Sequence, residues 1–325
     1  MLSFLRRLII ILTLGLLFCG NLFSQDILDT YLNGNDLNNR INNYIKNVSG
    51  LIPETTTLQN VWHLAPAGNK FYFGAGANGN IAFINKKKIG GFLAGSDGFG
   101  ANNIDLTQFP ETIPFLPGLG LDARIGFKNF DFGVTGTWIG ESALSGMNVN
   151  IFGEGSTFAL QSFGIDARYT LKLKIMKSPL WPNITFQAGY FFTRLHFGMS
   201  AEEGGRSEGV RVDFRNDSYL LGLQVSKDFL GSLITPYGGL KMIIHKTNSQ
   251  FEWHTNRPVS MNGLLYPNGL EYYSKGNEGD TKVYSQFYFG LGIYLVNAVS
   301  FSVGGAYTFG NHFSLTASMR YVMGR

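Results

Sequence analysis

The sequence predicts an all-β fold: a transmembrane antiparallel up-and-down β-barrel of about ten strands, behind a short N-terminal helical segment. Eight or twelve strands stay open, because strand boundaries read from sequence carry errors of about two to four residues. Three observations predict this class. From Phe71 to the C-terminus, apolar and polar residues alternate in segments of about ten. No apolar run in that region reaches the roughly 20 residues a membrane-spanning helix needs. The chain holds 42 glycines, 28 phenylalanines and 15 tyrosines in 325 residues, an excess suited to tight lumenal packing and interfacial aromatic girdles. Mean hydropathy is +0.03, too polar for a helical membrane protein.

Residues 1–24 read as a secretory signal. Arg6 and Arg7 form the basic region, Leu8 to Phe18 the apolar region, and cleavage is expected after Ser24. Acylation at Cys19 is the alternative, but Phe18 stands where a small residue is needed. Cys19 is the only cysteine, so a chain cleaved at Ser24 has neither disulfides nor cysteine-ligated metals.

Within residues 25–69, Asp26 to Leu32 and Asp36 to Leu51 carry helical spacing. Leu37, Ile41, Tyr44, Ile45 and Val48 share one face, and Asn38, Asn39, Asn42, Asn43 and Asn47 line the other. An uncharged asparagine face suits contact with other polar groups, which predicts a plug in or under the lumen. A periplasmic arm is the other reading.

Residues 70–325 then divide into ten strands. The first runs from about Lys70 to Asn85, before a long glycine-rich connection. Leu119 to Phe127 and Phe130 to Ile139 flank Lys128-Asn129, a two-residue hairpin turn. Thr157 to Lys174, Ile184 to Met199, Val210 to Lys227 and Leu233 to Trp253 follow, and a charged glycine-rich tip separates the middle two. The last three are Thr281 to Leu295, Val299 to Phe309 and His312 to Met323. Connections 86–118, 140–156 and 254–280 are long, whereas 128–129, 175–183, 228–232 and 296–298 are compact. Long and short connections alternate, as a barrel with long outer loops and short periplasmic turns requires, with Gly310-Asn311 the one short turn on the outer side. A secreted β-sandwich would also alternate, but it would hide its apolar faces in one core. Here nearly every strand offers a long aromatic face.

Assigning the apolar parity to lipid places particular charges inside. In the second strand Leu119, Leu121, Ala123, Ile125 and Phe127 face out, with Asp122 and Arg124 in. In the fourth, Phe163, Ile165, Ala167, Tyr169 and Leu171 face out, with Asp166, Arg168 and Lys172 in. Asp131, Lys241 and Arg320 also take lumenal parity. An Arg or Lys on the lipid face at mid-membrane would cost about 2–4 kcal/mol. The repeated Asp-x-Arg pairs read as a salt-bridge network filling a narrow barrel, or as a charged constriction that selects solutes. Ten strands leave little open space, which disfavours a wide diffusion pore.

The formal charge is +4, and Arg6 and Arg7 leave with the signal. No basic stripe remains for nucleic acid. No His/Asp/Glu cluster has metal-ligand spacing, no cofactor motif is present, and no catalytic residue is assigned. Expected partners are outer-membrane lipid, the barrel-assembly machinery and small solutes.

The signal ending Leu-Phe-Ser-Gln, the alternating strands and a strand as the C-terminal element resemble Gram-negative or spirochaete outer-membrane β-barrel proteins, over residues 70–325. The final strand, His312 to Tyr321, looks like the assembly signal of such proteins, but runs on through Val-Met-Gly-Arg. Ala65-Pro66-Ala67 is similar to the Asn-Pro-Ala motif of outer-membrane transporters for fatty acids and other hydrophobic compounds, with Ala65 replacing asparagine. The chain is about a hundred residues shorter than is usual there. That likeness implies hydrophobic uptake past a plug. His245 two residues before Thr247 faintly resembles the outer-membrane phospholipase dyad, but Asn248-Ser249 departs from that family's Asn-Gly. The length and strand number suit omptin-type proteases, yet no Asp-x-His or Asp-x-Asp occurs. The expectation is a non-enzymatic barrel of a diderm outer membrane, a narrow or gated channel for small solutes, hydrophobic ones favoured. A filled structural or surface-binding barrel, acting through loops bearing Lys86–Lys88, Trp253 and Tyr272-Tyr273, is the alternative.

Overall fold

The computed structural model describes residues 61–62, 71–85, 112–139, 156–172, 181–203, 206–230, 233–256, 259–261, 264–275, 280–295, 298–309 and 312–324. The expected signal, the helical stretches of 25–69 and the Lys86–Lys88 triplet lie outside these residues, as do the side chains of Lys172, Trp253, Tyr272 and Tyr273.

Ten strands form the barrel wall: β1 (Phe71–Asn85), β2 (Thr112–Phe127), β3 (Phe130–Ile139), β4 (Ser156–Lys172), β5 (Asn183–Glu203), β6 (Arg206–Ser226), β7 (Ile234–Thr255), β11 (Asp280–Leu295), β12 (Val299–Thr308) and β13 (His312–Met323). Each pairs antiparallel with its neighbours, β13 with β1 and β6 with β7, so the sheet closes on itself. Between β7 and β11 lie three short strands: β8 (Val259–Met261), β9 (Leu264–Tyr266) and β10 (Leu270–Lys275). β8 pairs with β9, and β10 adds to the last six residues of β7. The near end of the barrel is where β1 begins and β13 finishes.

The register fixes the barrel's dimensions. Starting at Thr247 on β7, hydrogen-bonded partners run through Asn216, Thr193, Ser162, Thr137, Gly120, Asn78, Ser318, Ser302 and Gly292. They return to β7 at Thr235, twelve residues nearer its start. Ten strands with that stagger tilt roughly 40° and enclose a backbone cylinder of roughly 10 Å radius. Side chains can fill such a space.

Local chemistry explains where the elements turn. Lys128 adopts φ 56°, the left-handed conformation a two-residue hairpin needs, and β2 and β3 pair through Phe127 and Phe130 across it. β2 starts earlier than the expected Leu119, because Thr112–Phe115 continue its pairing with β1. The register shifts between Asn80 and Ala82, opposite Leu116 and Pro117. A proline cannot donate to the ladder, so a bulge is where a strand accommodates one. β5 and β6 also run further than expected, with Glu203 still paired to Arg206. The charged stretch expected as an open tip is instead mostly ladder.

Candidate functional site

Along the strands, exposure alternates with the residue. On β11, Val283, Phe287, Phe289, Leu291, Ile293 and Leu295 are exposed, while Gln286 and Tyr288 between them are buried. On β2, Leu121 is 70 % exposed and its neighbour Asp122 is 4 %. Asp131, Thr185, Asn216, His245 and Ser300 are buried too, and large apolar side chains cover the outside all round. A water-soluble protein has the reverse arrangement; apolar outside with polar inside belongs in lipid. The chain is an outer-membrane-type β-barrel.

The barrel's near third is packed with charge. Arg168 on β4 donates through Nε (2.9 Å) and Nη2 (2.6 Å) to the two carboxylate oxygens of Asp131 on β3. Arg124 on β2 also pairs with Asp131, and through Nη2 with both oxygens of Asp166 at 2.7 Å. The Tyr72 hydroxyl on β1 donates to Asp131 at 2.5 Å, and Gln187 Nε2 on β5 donates to Asp166 at 3.0 Å. Arg320 on β13 forks onto Asp122 from Nε and Nη2, at 2.9–3.1 Å, and Asn78 donates to the same carboxylate at 2.8 Å. Lys241 on β7 places its ammonium 5.0 Å from the Tyr288 ring centroid.

The register, rather than neighbourhood along a strand, chooses the partners. Asp122 and Arg124 do not pair with each other. Asp122 reaches Arg320 across β1, and Arg124 reaches forward to β3 and β4. Arg168 likewise takes Asp131 on the next strand rather than Asp166. Charges held in forked hydrogen bonds can stay ionised while buried, because each carboxylate oxygen is satisfied.

Trp62 sits in the middle of this network, 1 % exposed. Its carbonyl accepts from Arg168 Nη1 at 2.9 Å and from Gln224 Nε2 at 3.0 Å. Two guanidiniums lie against its indole, Arg320 at 4.6 Å and Arg124 at 5.3 Å from the ring centroid. Tyr72 and Val322 pack on it. Val61 packs on Tyr237, Tyr288 and Ala306. A Cβ on Gly74 would come within 2.6 Å of the Trp62 ring, and one on Gly133 would collide with Arg124 and Asp166. The two glycines make the space the tryptophan and the ion pairs occupy.

Of the residues read as lumenal from sequence, Asp122, Arg124, Asp131, Asp166, Arg168 and Arg320 come together here, and Lys241 is buried on the opposite wall. Only the backbone of Lys172 is described, paired with Asn183. Sequence reading missed Trp62, Tyr72, Gln187 and Gln224. Tyr72 and the two glutamines were on lumenal parity; Trp62 left no periodic signal.

Two histidines have telling surroundings. His245 is buried and stacks on Tyr284 at 5.1 Å, while the Thr247 hydroxyl bonds Asn216. The hydroxyl–imidazole contact of a phospholipase dyad is therefore not made by this pair. On the outward face, His196 Nδ1 lies 2.8 Å from Asp213, and its Nε2 lies 3.3 Å from the Thr157 hydroxyl.

No protein-family model matches the chain, and no curated protein sequence matches it. Among solved structures, the barrel is similar to the translocator domain of the autotransporter NalP from Neisseria meningitidis. The identity is 9 % and the TM-score 0.40, covering 85 % of this chain and 95 % of that one. It is also similar to the outer membrane protease OmpT from Escherichia coli, at 14 % identity and TM-score 0.38, covering 80 % and 99 %. A third likeness is to the Ralstonia pickettii toluene transporter TbuX, at 10 % identity and TM-score 0.26, covering 79 % and 90 %. At these identities and scores, the likenesses add nothing to what register and burial establish.

Proposed function

We propose that the protein is a narrow, gated channel for small solutes in the outer membrane of a diderm bacterium, with its near end in the periplasm. Residues 25–69 serve as its plug. The observation that carries this reading is the grip on Trp62. A residue from the segment before β1 lies inside the barrel, with its carbonyl and its indole held by groups from β2, β4, β6 and β13. When that tryptophan leaves, the space it fills among the buried ion pairs is freed. The grip uses hydrogen bonds and cation–π contacts, each worth on the order of 1 kcal/mol, so it can be reversible.

The size of the filled lumen supports small solutes, and the likeness around Ala65-Pro66-Ala67 favours hydrophobic ones. The surface-binding alternative draws support from one feature, the continuation of β5, β6 and β7 far beyond β3 and β12.

The test is single-channel conductance of the mature protein in planar bilayers, beside Trp62→Ala and a form lacking residues 25–62. Larger or longer openings in both variants support the gated channel. Silence in all three, with folding verified by heat-dependent gel migration, overturns it in favour of a filled barrel.

A further inference from the structure

The outward face of β5, β6 and β7 changes character at one height. Read from the near end, β5 presents Phe186, Ala188, Tyr190 and Phe192, then Arg194 and His196. β6 presents Val225, Leu223, Leu221 and Tyr219, then Asp217, Arg215, Asp213 and Arg211. β7 passes from Leu240 and Met242 to Lys246. At the same height the described outward positions on the other side of the barrel are uncharged: Trp138, Val283, Phe309 and Phe313.

Register puts Arg194 directly opposite Arg215. Like charges facing each other across a ladder are destabilising unless something sits between them. Their side chains are 57 % and 60 % exposed, so packing does not impose the pairing. The neighbouring carboxylates are already shared. Asp217 accepts the Tyr190 hydroxyl at 2.5 Å and stands 3.5 Å from Arg215. Asp213 takes His196 at 2.8 Å and Arg211 at 3.0 Å, and is 4.0 Å from Arg194. Register also sets Glu252 opposite Arg211 and Lys246 opposite Asp217, so three guanidiniums and one ammonium meet three carboxylates on the rim of an apolar surface. Arg215 also lies 5.1 Å over the Phe192 ring, which holds it at that rim.

We propose that this surface binds a membrane lipid with a phosphate-bearing headgroup. The phosphate lies between Arg194 and Arg215, and the acyl chains run along Ala188, Tyr219 and Leu221. Guanidinium forks match phosphate oxygens in pairs, and a bridging anion relieves the repulsion between the two arginines. The Tyr190–Tyr219 pair, 5.4 Å between centroids, marks the level where chains meet headgroups. A free phosphate would use the arginines alone, whereas a lipid uses the arginines and the apolar wall below them. That continuity favours the lipid. The site is on the outside of the barrel and does not depend on whether the lumen conducts.

The experiment is native mass spectrometry of the full-length mature protein in a neutral detergent. The probes are phosphatidylglycerol, diacylglycerol with the same chains, and inorganic phosphate as a competitor. Phosphatidylglycerol is expected to be retained about tenfold more than diacylglycerol. Arg194→Gln with Arg215→Gln should remove that preference, while Arg194→Lys with Arg215→Lys keeps most of it. Heat-dependent gel migration confirms that every variant is folded. Equal retention of phosphatidylglycerol by the glutamine variant and the wild type would overturn the proposal. So would displacement by millimolar inorganic phosphate, which would reduce the site to a general anion site. Equal retention of diacylglycerol and phosphatidylglycerol by the wild type would also overturn it, since the arginines would then contribute nothing.

Discussion

Asp131 shows what a single residue carries here. It accepts from Tyr72, Arg124 and Arg168, and every one of these groups is buried. Replacing it with asparagine leaves the buried Arg168 guanidinium without its paired carboxylate and Arg124 with Asp166 alone. Breaking a buried pair in this way costs about 3–5 kcal/mol. Gln187→Leu, by contrast, removes one neutral donor from Asp166, whose other bonds come from Arg124, and should cost about 1 kcal/mol. Urea titration of both variants folded into vesicles measures the difference, and equal losses would show that the Asp131 cluster is not acting as a unit. Parity alone was enough to place these charges inside, because lipid makes the outward parity unmistakably apolar. Their partners were not legible. Whether Arg168 meets Asp131 or Asp166 depends on strand register, and no residue in either strand announces that.

The elements fall into two groups, those the sequence described well and those it did not. Strands crossing the apolar belt, such as β11 and β13, were legible nearly to the residue, since lipid demands one face and the lumen the other. Legibility failed where that contrast stops. β2 starts before Leu119, in a stretch whose Pro114 and Pro117 argue against a strand until the bulge opposite Asn80 and Ala82 is known. β10 was read as loop because it pairs only with the part of β7 beyond the belt, where neither face needs to be apolar. The hairpin at Lys128 was legible in length, though lysine is not a usual left-handed residue. Lys128→Gly should be neutral or stabilising by up to about 1 kcal/mol, and Lys128→Val destabilising by about 1–3 kcal/mol. The same urea titration separates them; a tolerated valine would mean that the turn relaxes without cost.

At the scale of the whole molecule, lipid on the outside and ion pairs within are two halves of one energetic arrangement. The belt is about ten residues tall on each strand, or roughly 25 Å at this tilt. Leu291→Arg, on the belt, is expected to cost about 2–4 kcal/mol, and Gln161→Arg, at the belt's upper margin on β4, about 0–1 kcal/mol. Folding yield into vesicles of defined thickness reads this directly; equal losses at both positions would misplace the belt. The interior carries its own long-range tie. Asp122 and Arg320 are 198 positions apart in the chain, and they meet across β1. Until β13 arrives, Asp122 has Asn78 beside it but no cation. A chain cut short before His312 would hold a charged group that nothing neutralises, while one that ends properly satisfies it in the act of sealing the wall. Sealing the wall against β1 and neutralising Asp122 are thus a single event, since one strand brings both the ladder and the guanidinium.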